Sequence, residues 1–541
     1  MIRYIKKLWS TETNGLTAAA LIIGLASIAS RLVGVLRDRS LASVFGAGNT
    51  LDAYYAAFRV PDFLYNLIIL GALSAGFIPV FAEYLETRDK KEAWRLAEQV
   101  LSVVGATMAL ACALLALVAP IIVPLTIPGF DADKTATTVQ LSRVMFLSPF
   151  FLGLSAVMGG ILQTTRRFLA FAIAPVVYNL SIIFGIYFLV PHFGIEGLSW
   201  GVVIGAFLHL VVQSSVVLKM GLHRIPRPSF MPEGVRRILY LMAPRMAGLA
   251  VSQVNLVVLL IFASTLPLGS VAVFNLANNL QSFPVGIIGI SFAVAAFPLL
   301  SRAASHKDKR EFNEALASAA RKTTFFILPA MALFYLSRAQ IVRLTLGAGV
   351  FDWNDTIRTA EVLSVFLISL YGQSIVPLLA RAFYSLQNTW IPFWAGLISE
   401  IANIVLAYLL KDIMGIMGLA LAFSIATYIN LFFLWFMLRR MRGPLGFKGI
   451  IVSFIKILTA SVALIGAGYP VRQLIGTMFP LETFWQVALQ AGLASTFGLV
   501  AFFVIAWILK TPELHEFIAA INKKIFKNAG PVEGAEEAQG I

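Results

Sequence analysis

Charge and cysteine are scarce in this chain of 541 residues. Only 13% of the residues are charged and 59% are hydrophobic, whereas a soluble domain carries about 25% charged residues. Such a composition defines a polytopic, all-α membrane protein. The one cysteine, Cys112, lies in an apolar run, so neither a disulfide nor a cysteine metal site can form within one chain. Five histidines, His192, His209, His223, His306 and His515, are scattered without ligand spacing. No nucleophile, base and orienting group come together, which argues against an enzyme. A phosphate-cradling glycine loop ending in Lys-Ser/Thr is also missing, so ATP is not the direct drive.

Long apolar runs are what the chain has instead. A spanning helix needs about 20 mainly apolar residues, and fourteen runs qualify: 17–42, 52–82, 96–123, 138–162, 168–190, 197–218, 238–263, 270–300, 320–344, 359–385, 390–410, 416–438, 449–472 and 483–509. Alternate connections are basic. Those on one side, with the leader and the tail, hold 29 of the 42 Lys and Arg residues, and the others hold six: Lys134, Arg338, Arg343, Arg358, Lys411 and Arg472. This bias predicts both termini in the cytoplasm. It also accounts for the net charge of +15 without a nucleic-acid partner.

The chain also repeats itself. At an offset of 221 residues Gly48 meets Gly269, Phe130-Asp131 meets Phe351-Asp352, and Gly194-Ile195-x-Gly197-Leu198 meets Gly415-Ile416-x-Gly418-Leu419. Pro79 meets Pro298 at 219. Six spans per copy, an even number, keep both copies in the same orientation, and transporters built from such repeats bind substrate between the halves. The expected organisation is a cytoplasmic leader (1–16), a first lobe (17–222), a second lobe (223–442), two appended helices (443–510) and a cytoplasmic tail (511–541).

Charge inside the spans concentrates between Ser30 and Asp62. On a helical projection of about 100° per residue, Ser30, Arg31, Gly34, Arg37 and Asp38 share roughly a third of the circumference. Two guanidiniums, a carboxylate, a hydroxyl and a bare glycine on one surface suit an anionic, oxygen-rich group such as a diphosphate. Ionisable groups within spans normally face a bundle interior or a wet cavity; the alternative is a helix end whose arginines snorkel to headgroups. Asp52 and Arg59 follow on the second span. The second copy is poorer in charge, with Val258, Leu259 and Leu280 where the first has Arg37, Asp38 and Arg59. Its exceptions are Arg245 and Glu400. Glu400 is a candidate for proton or cation coupling or a structural acid hydrogen-bonded between helices, and Arg245 is a candidate anchor. Asn179 stands at the repeat position of Glu400, with Asn403 three residues beyond.

Taken in order, Ser30-Arg31-x-x-Gly34-x-x-Arg37-Asp38, Phe45-Gly46-Ala47-Gly48, Asp52-Ala53, Phe58-Arg59-x-Pro61, Gly71-Ala72-Leu73-Ser74 with Phe77-x-Pro79, Pro128-Gly129-Phe130 and Arg381-Ala382-Phe383-Tyr384 resemble the MurJ (MviN) lipid II flippases. The resemblance runs across almost all the predicted helices. It implies the MOP superfamily fold of two six-helix lobes around a central cavity, with two final helices forming a groove for a lipid tail. It further implies alternating access that carries undecaprenyl-diphosphate-linked disaccharide-peptide to the outer leaflet of the bacterial cytoplasmic membrane. The implied partners are that lipid-linked saccharide, membrane lipids and the cell-wall synthesis machinery, with no cofactor beyond monovalent-cation or membrane-potential coupling. By position Ser30, Arg31, Arg37, Asp38 and Asp52 match cavity residues of the family, and Arg59 matches a basic one.

The chain departs from the family pattern at three places. Where the family usually shows arginine and then glutamate in the second span, this chain has Tyr65, Asn66 and Leu70. An Asp-Arg pair of the eighth span is Asn278-Asn279 here, and a seventh-span acid or amide that helps bind sodium is Leu259. The alternatives are a flippase for another polyprenyl-diphosphate-linked oligosaccharide, an antiporter of the same superfamily, which the cavity arginines disfavour for cationic drugs, and a non-transporting scaffold with a degenerate cavity.

Overall fold

The computed structural model describes residues 16–70, 76–222, 233–306 and 308–526. Secondary structure among them is helical, without strands. The leader before residue 16, the Gly71-Ala72-Leu73-Ser74 segment and the tail after residue 526 lie outside the described residues, as do the side chains of Arg245 and Leu70.

Among the described residues ten helices are long and apolar enough to span a membrane, and eleven if one bent pair counts as a single span. The other three of the fourteen expected runs, 17–42, 52–82 and 238–263, each include residues that lie outside the described ones or whose side chains do. The Asn49–Tyr65 helix carries Asp52, Arg59 and Asp62 and passes into a π-helical turn at Asn66–Leu70. The Glu233–Ser264 helix contains the apolar stretch Gly248–Ser264 among the described residues. The bent pair is Lys309–Leu336 with Arg338–Thr345, which turn through 77°. Sequence reasoning makes this one straight run, 320–344. The break is chemically supported, since Arg472 donates through Nη1 to the carbonyl of Leu336 at 2.7 Å, satisfying an acceptor that the helix end frees. Most other bounds agree closely with expectation, as with Phe168–Phe193, Glu196–Met220 and Trp390–Met414.

In lipid, apolar surface gives little drive for helices to associate, so close backbone approach carries much of the packing. Gly197, Gly201 and Gly205 recur every four residues along the Glu196–Val217 helix. A Cβ on Gly201 would lie 2.9 Å from the Cα of Gly185, and one on Gly205 2.9 Å from the carbonyl of Tyr178. The Lys90–Thr126 helix shows the opposite face. Leu110, Leu114, Leu117, Ile121 and Leu125 are all exposed in a helical stripe, the pattern of a surface solvated by acyl chains.

The offset of 221 residues carries geometry as well as letters. Gly194 and Gly415 both adopt positive φ, 59° and 56°. Asp131 and Asp352 each accept from the backbone N–H three residues on, at 2.9 and 2.8 Å. The π-helical turns Asn66–Leu70 and Val285–Gly289 stand 219 residues apart, the offset of the Pro79 and Pro298 pair.

Two compact units emerge. The first comprises residues up to 278 with 345–362 and 400–423, and the second comprises 279–344, 363–399 and 424 onward. The first is organised on a core that includes Phe77, Phe81, Trp94, Met108, Phe146 and Ile161. In the second, the last two spans, although outside the sequence repeat, bury Ile457, Leu464, Ala494 and Phe502 against Phe325 and Leu336. An unexpected amphipathic helix, Pro512–Phe526, follows them and packs Phe517 onto Phe325 and Phe326. Sequence reasoning treats that stretch as a basic connection.

Candidate functional site

The charged stretch predicted from sequence lies within the first unit. The Leu16–Phe45 helix continues through Ser30, Arg31 and Arg37 without a break, and Ser30, Arg31 and Arg37 are half-buried while Asp38 is buried. Arg37 is the best-defined member. Its Nε and Nη2 donate to Asp38 Oδ1 at 3.0 and 2.7 Å, and its Nη1 donates to Asn179 Oδ1 at 2.9 Å. Asn179 is itself fixed, its Nδ2 donating to the carbonyl of Pro175 at 2.9 Å. A guanidinium has five N–H donors. These three bonds hold its plane and leave two N–H groups, one on each terminal nitrogen, for an external oxygen.

Aromatic hydroxyls and a second acid surround this group. Tyr54 and Tyr55 lie close enough to Arg37 for direct electrostatic interaction, and Asp62 faces both Arg59 and Arg37. Arg59 keeps its Nε buried without a partner among the described residues, as does the Tyr55 hydroxyl. Tyr54 and Tyr55 escape a sequence search because an aromatic on an apolar helix is indistinguishable from core. Asn179 carries a signal, its repeat relation to Glu400, although not the identity of its partner.

Asp52 is placed elsewhere, at the helix end. Its carboxylate is buried and accepts three donors: Lys134 Nζ and Gly269 N on Oδ2, and Ala272 N on Oδ1, each at 2.8 Å. It therefore caps the start of the Ser270–Pro284 helix, where unsatisfied N–H groups and the helix dipole favour an anion. Other connections from the low-charge side meet at this end. Asp355 accepts from Ala47 N at 3.0 Å, Val350 N donates to Ser43 O at 2.9 Å, and Arg358 donates to Leu268 O at 2.9 Å. That four such connections pack together fits their assignment to one face of the membrane. Gly269 is indispensable to the contact: its φ is +82° and a Cβ would lie 1.9 Å from the carbonyl of Ala47. Replacing it by alanine is expected to lower the apparent melting temperature in detergent by several degrees, measured beside Gly396→Ala, where a Cβ meets nothing within 4 Å.

Glu400 accepts a hydrogen bond from Ser252, and Asn403 Nδ2 donates to Asn255 Oδ1 at 3.3 Å. Asn66 Nδ2 donates to Gln253 Oε1, also at 3.3 Å. Ser252, Gln253 and Asn255 thus form a polar ladder on the Glu233–Ser264 helix. No group of three or more His, Cys, Asp or Glu side chains that could hold a metal occurs among the described residues. Asn279 is half-buried in the second unit.

Many apolar spanning helices, with a positioned, part-buried arginine on the Leu16–Phe45 helix, are the features of a membrane transporter. Residues 41–488 match the family described as lipid II flippase MurJ, and the chain belongs to that family. It is 30% identical over 482 residues to the probable lipid II flippase MurJ of Rhizobium tropici, covering 87% of this chain and 88% of the relative. It is 28% identical over 449 residues to the lipid II flippase MurJ of Burkholderia cenocepacia, covering 81% and 87%. Among solved structures, lipid II flippase MurJ in an inward closed conformation superposes with a TM-score of 0.76 at 25% identity, over 90% of this chain and 98% of that one. An inward-facing multidrug MATE transporter of the MOP superfamily shares the fold alone, with a TM-score of 0.66 at 16% identity over 77% and 95% of the chains.

Proposed function

We propose that this chain is a flippase that moves lipid II, the lipid-linked peptidoglycan precursor, from the inner to the outer leaflet of the bacterial cytoplasmic membrane. The observation that carries the reading is Arg37, held by Asp38 and Asn179 so that two N–H donors stay free in a partly buried setting. Such a group binds a phosphate oxygen more strongly than an exposed cation because less water competes for it. The family membership supplies the cargo. In the proposed cycle the repeat copies 17–222 and 223–442 rock as a secondary-type transporter, with both termini cytoplasmic and the 443–510 helices holding the lipid tail. The drive we infer is the membrane potential, worth about 2.3 kcal/mol per elementary charge per 100 mV. The cell-wall synthesis machinery is the proposed protein partner.

The test is rescue of a MurJ-depleted bacterium together with a measurement of lipid II on the outer leaflet. Rescue with exposed lipid II supports the reading; membrane-inserted protein that yields neither sinks it. A different lipid-linked oligosaccharide as cargo is favoured by the neutral Asn66, bonded to Gln253, in the stretch where the family usually has charge, and mass spectrometry of the accumulating precursor separates the two. Glu400→Gln preserves an acceptor for Ser252, so flipping within about twofold of wild type is expected if the acid is structural. A loss above about tenfold would assign Glu400 to proton or cation coupling.

A further inference from the structure

A pocket with basic residues in its lining lies in the second unit. This pocket, of about 470 Å³, is lined by Lys309, Arg310, Asn313, Glu314, Arg321 and Gly446 among others. Three cations face one carboxylate. Arg310 is paired with Glu314 at 2.8 Å on the exposed rim, and Arg321 is paired with the buried Glu513 at 3.2 Å. Lys309 has no ion-pair partner among the described residues.

The walls of this pocket are built rather than incidental. Asn313 Nδ2 donates to the carbonyls of Arg442 and Pro444 at 3.4 and 3.3 Å, which holds the 443–446 loop against the Lys309–Leu336 helix. Gly446 has φ +66° and sits at the start of the Phe447–Met478 helix without a side chain to cap its first N–H groups. Arg321 reaches the same turn, its Nη1 3.7 Å from where a Cβ on Gly449 would stand. Cationic side chains from one helix and the positive end of another therefore converge on one space, a combination that binds phosphate oxygens.

The aromatic and amphipathic surroundings favour a lipid over a free ion. One turn before the loop, Arg439 lies over the Trp435 ring at 5.4 Å, and Arg442 lies over Phe312 at 4.8 Å, the aromatic-cation arrangement of a headgroup layer. The amphipathic Pro512–Phe526 helix is tied to the same segment by Lys322 and Glu516 at 3.1 Å, as an interfacial helix would be. We propose that this pocket is a binding site for the phosphodiester headgroup of an anionic glycerophospholipid, on the face of the membrane that carries the basic connections. The proposed orientation serves only to name the leaflet, so failure of the rescue experiment leaves the site untouched. Basic pockets of this kind select anionic headgroups.

The test uses the full chain in phosphatidylcholine nanodiscs doped with about one tenth phosphatidylglycerol, counting retained lipid by native mass spectrometry. The wild type is expected to retain one phosphatidylglycerol with at least about tenfold preference over phosphatidylcholine. Lys309→Gln with Arg310→Gln, both on the exposed rim, should abolish the preference, whereas Lys322→Gln outside the pocket should keep it. Raised salt should weaken retention by the wild type, which reads the site without any substitution. Equal enrichment in all variants would overturn the site. Displacement of the lipid by free glycerol phosphate at comparable concentration would overturn the lipid assignment, because the pocket would then take any phosphate.

Discussion

Replacing Arg37 by alanine is expected to abolish rescue of a MurJ-depleted bacterium while the protein still reaches the membrane. Three bonds go at once, two of them to Asp38, which is buried and loses this guanidinium as a partner. Breaking a partly buried ion pair from one side costs stability, at most the about 3 to 5 kcal/mol of a fully buried one. Stability and function have to be separated, and two further variants do so. Arg37→Lys keeps the charge but cannot form the fork to Asp38 and still reach Asn179, so it should restore protein level more than transport. Asn179→Ala removes two hydrogen bonds, to Arg37 and to the Pro175 carbonyl, about 1 kcal/mol each, and turns the guanidinium loose; it should lower the melting temperature by no more than a few degrees while lowering lipid II exposure about tenfold. Full rescue by Arg37→Ala would end the proposal that this arginine meets the phosphates.

The fold was legible in the sequence to a large extent, for a physical reason. A span must hide about twenty residues of backbone from hydrocarbon, so the apolar run itself fixes helix type and position. The repeat was readable because the glycines and aspartates that define it serve backbone needs, positive φ at Gly194 and Gly415 and capping at Asp131 and Asp352. The break at Ser337 was not readable, since the group that stabilises it, Arg472, is more than a hundred residues away. The Pro512–Phe526 helix left a signal in the spacing of Leu514, Phe517 and Ile518, which a reading centred on basic connections passes over. In the candidate site, the concentration of charge on the first span was visible and the partner of each charge was not. Arg37 and Asp38 are neighbours in sequence, but the choice of Asn179 depends on how two helices pack.

Asp52 shows the same limit and leads to the second large effect. Sequence position groups it with the cavity residues, yet its carboxylate is spent on Lys134 and on the backbone N–H groups of Gly269 and Ala272. Lys134 could have been noticed as one of few cations on its side of the membrane, and it also lies over the Phe130 ring at 3.9 Å. Asp52→Asn keeps one acceptor oxygen but presents an amide NH₂ to donors, so at least one backbone N–H is stranded and Lys134 loses its counter-charge in a buried place. Loss of about 3 kcal/mol is expected, read as a fall of at least about 5 °C in the melting temperature in detergent, and rescue should fail. Lys134→Met should cost less, because Asp52 still receives both backbone donors. The double variant should then lie above the sum of the two by about 1 kcal/mol or more, the sign of direct coupling. Additive effects, or a larger loss for Lys134→Met than for Asp52→Asn, would show that the carboxylate does not hold this end of the bundle.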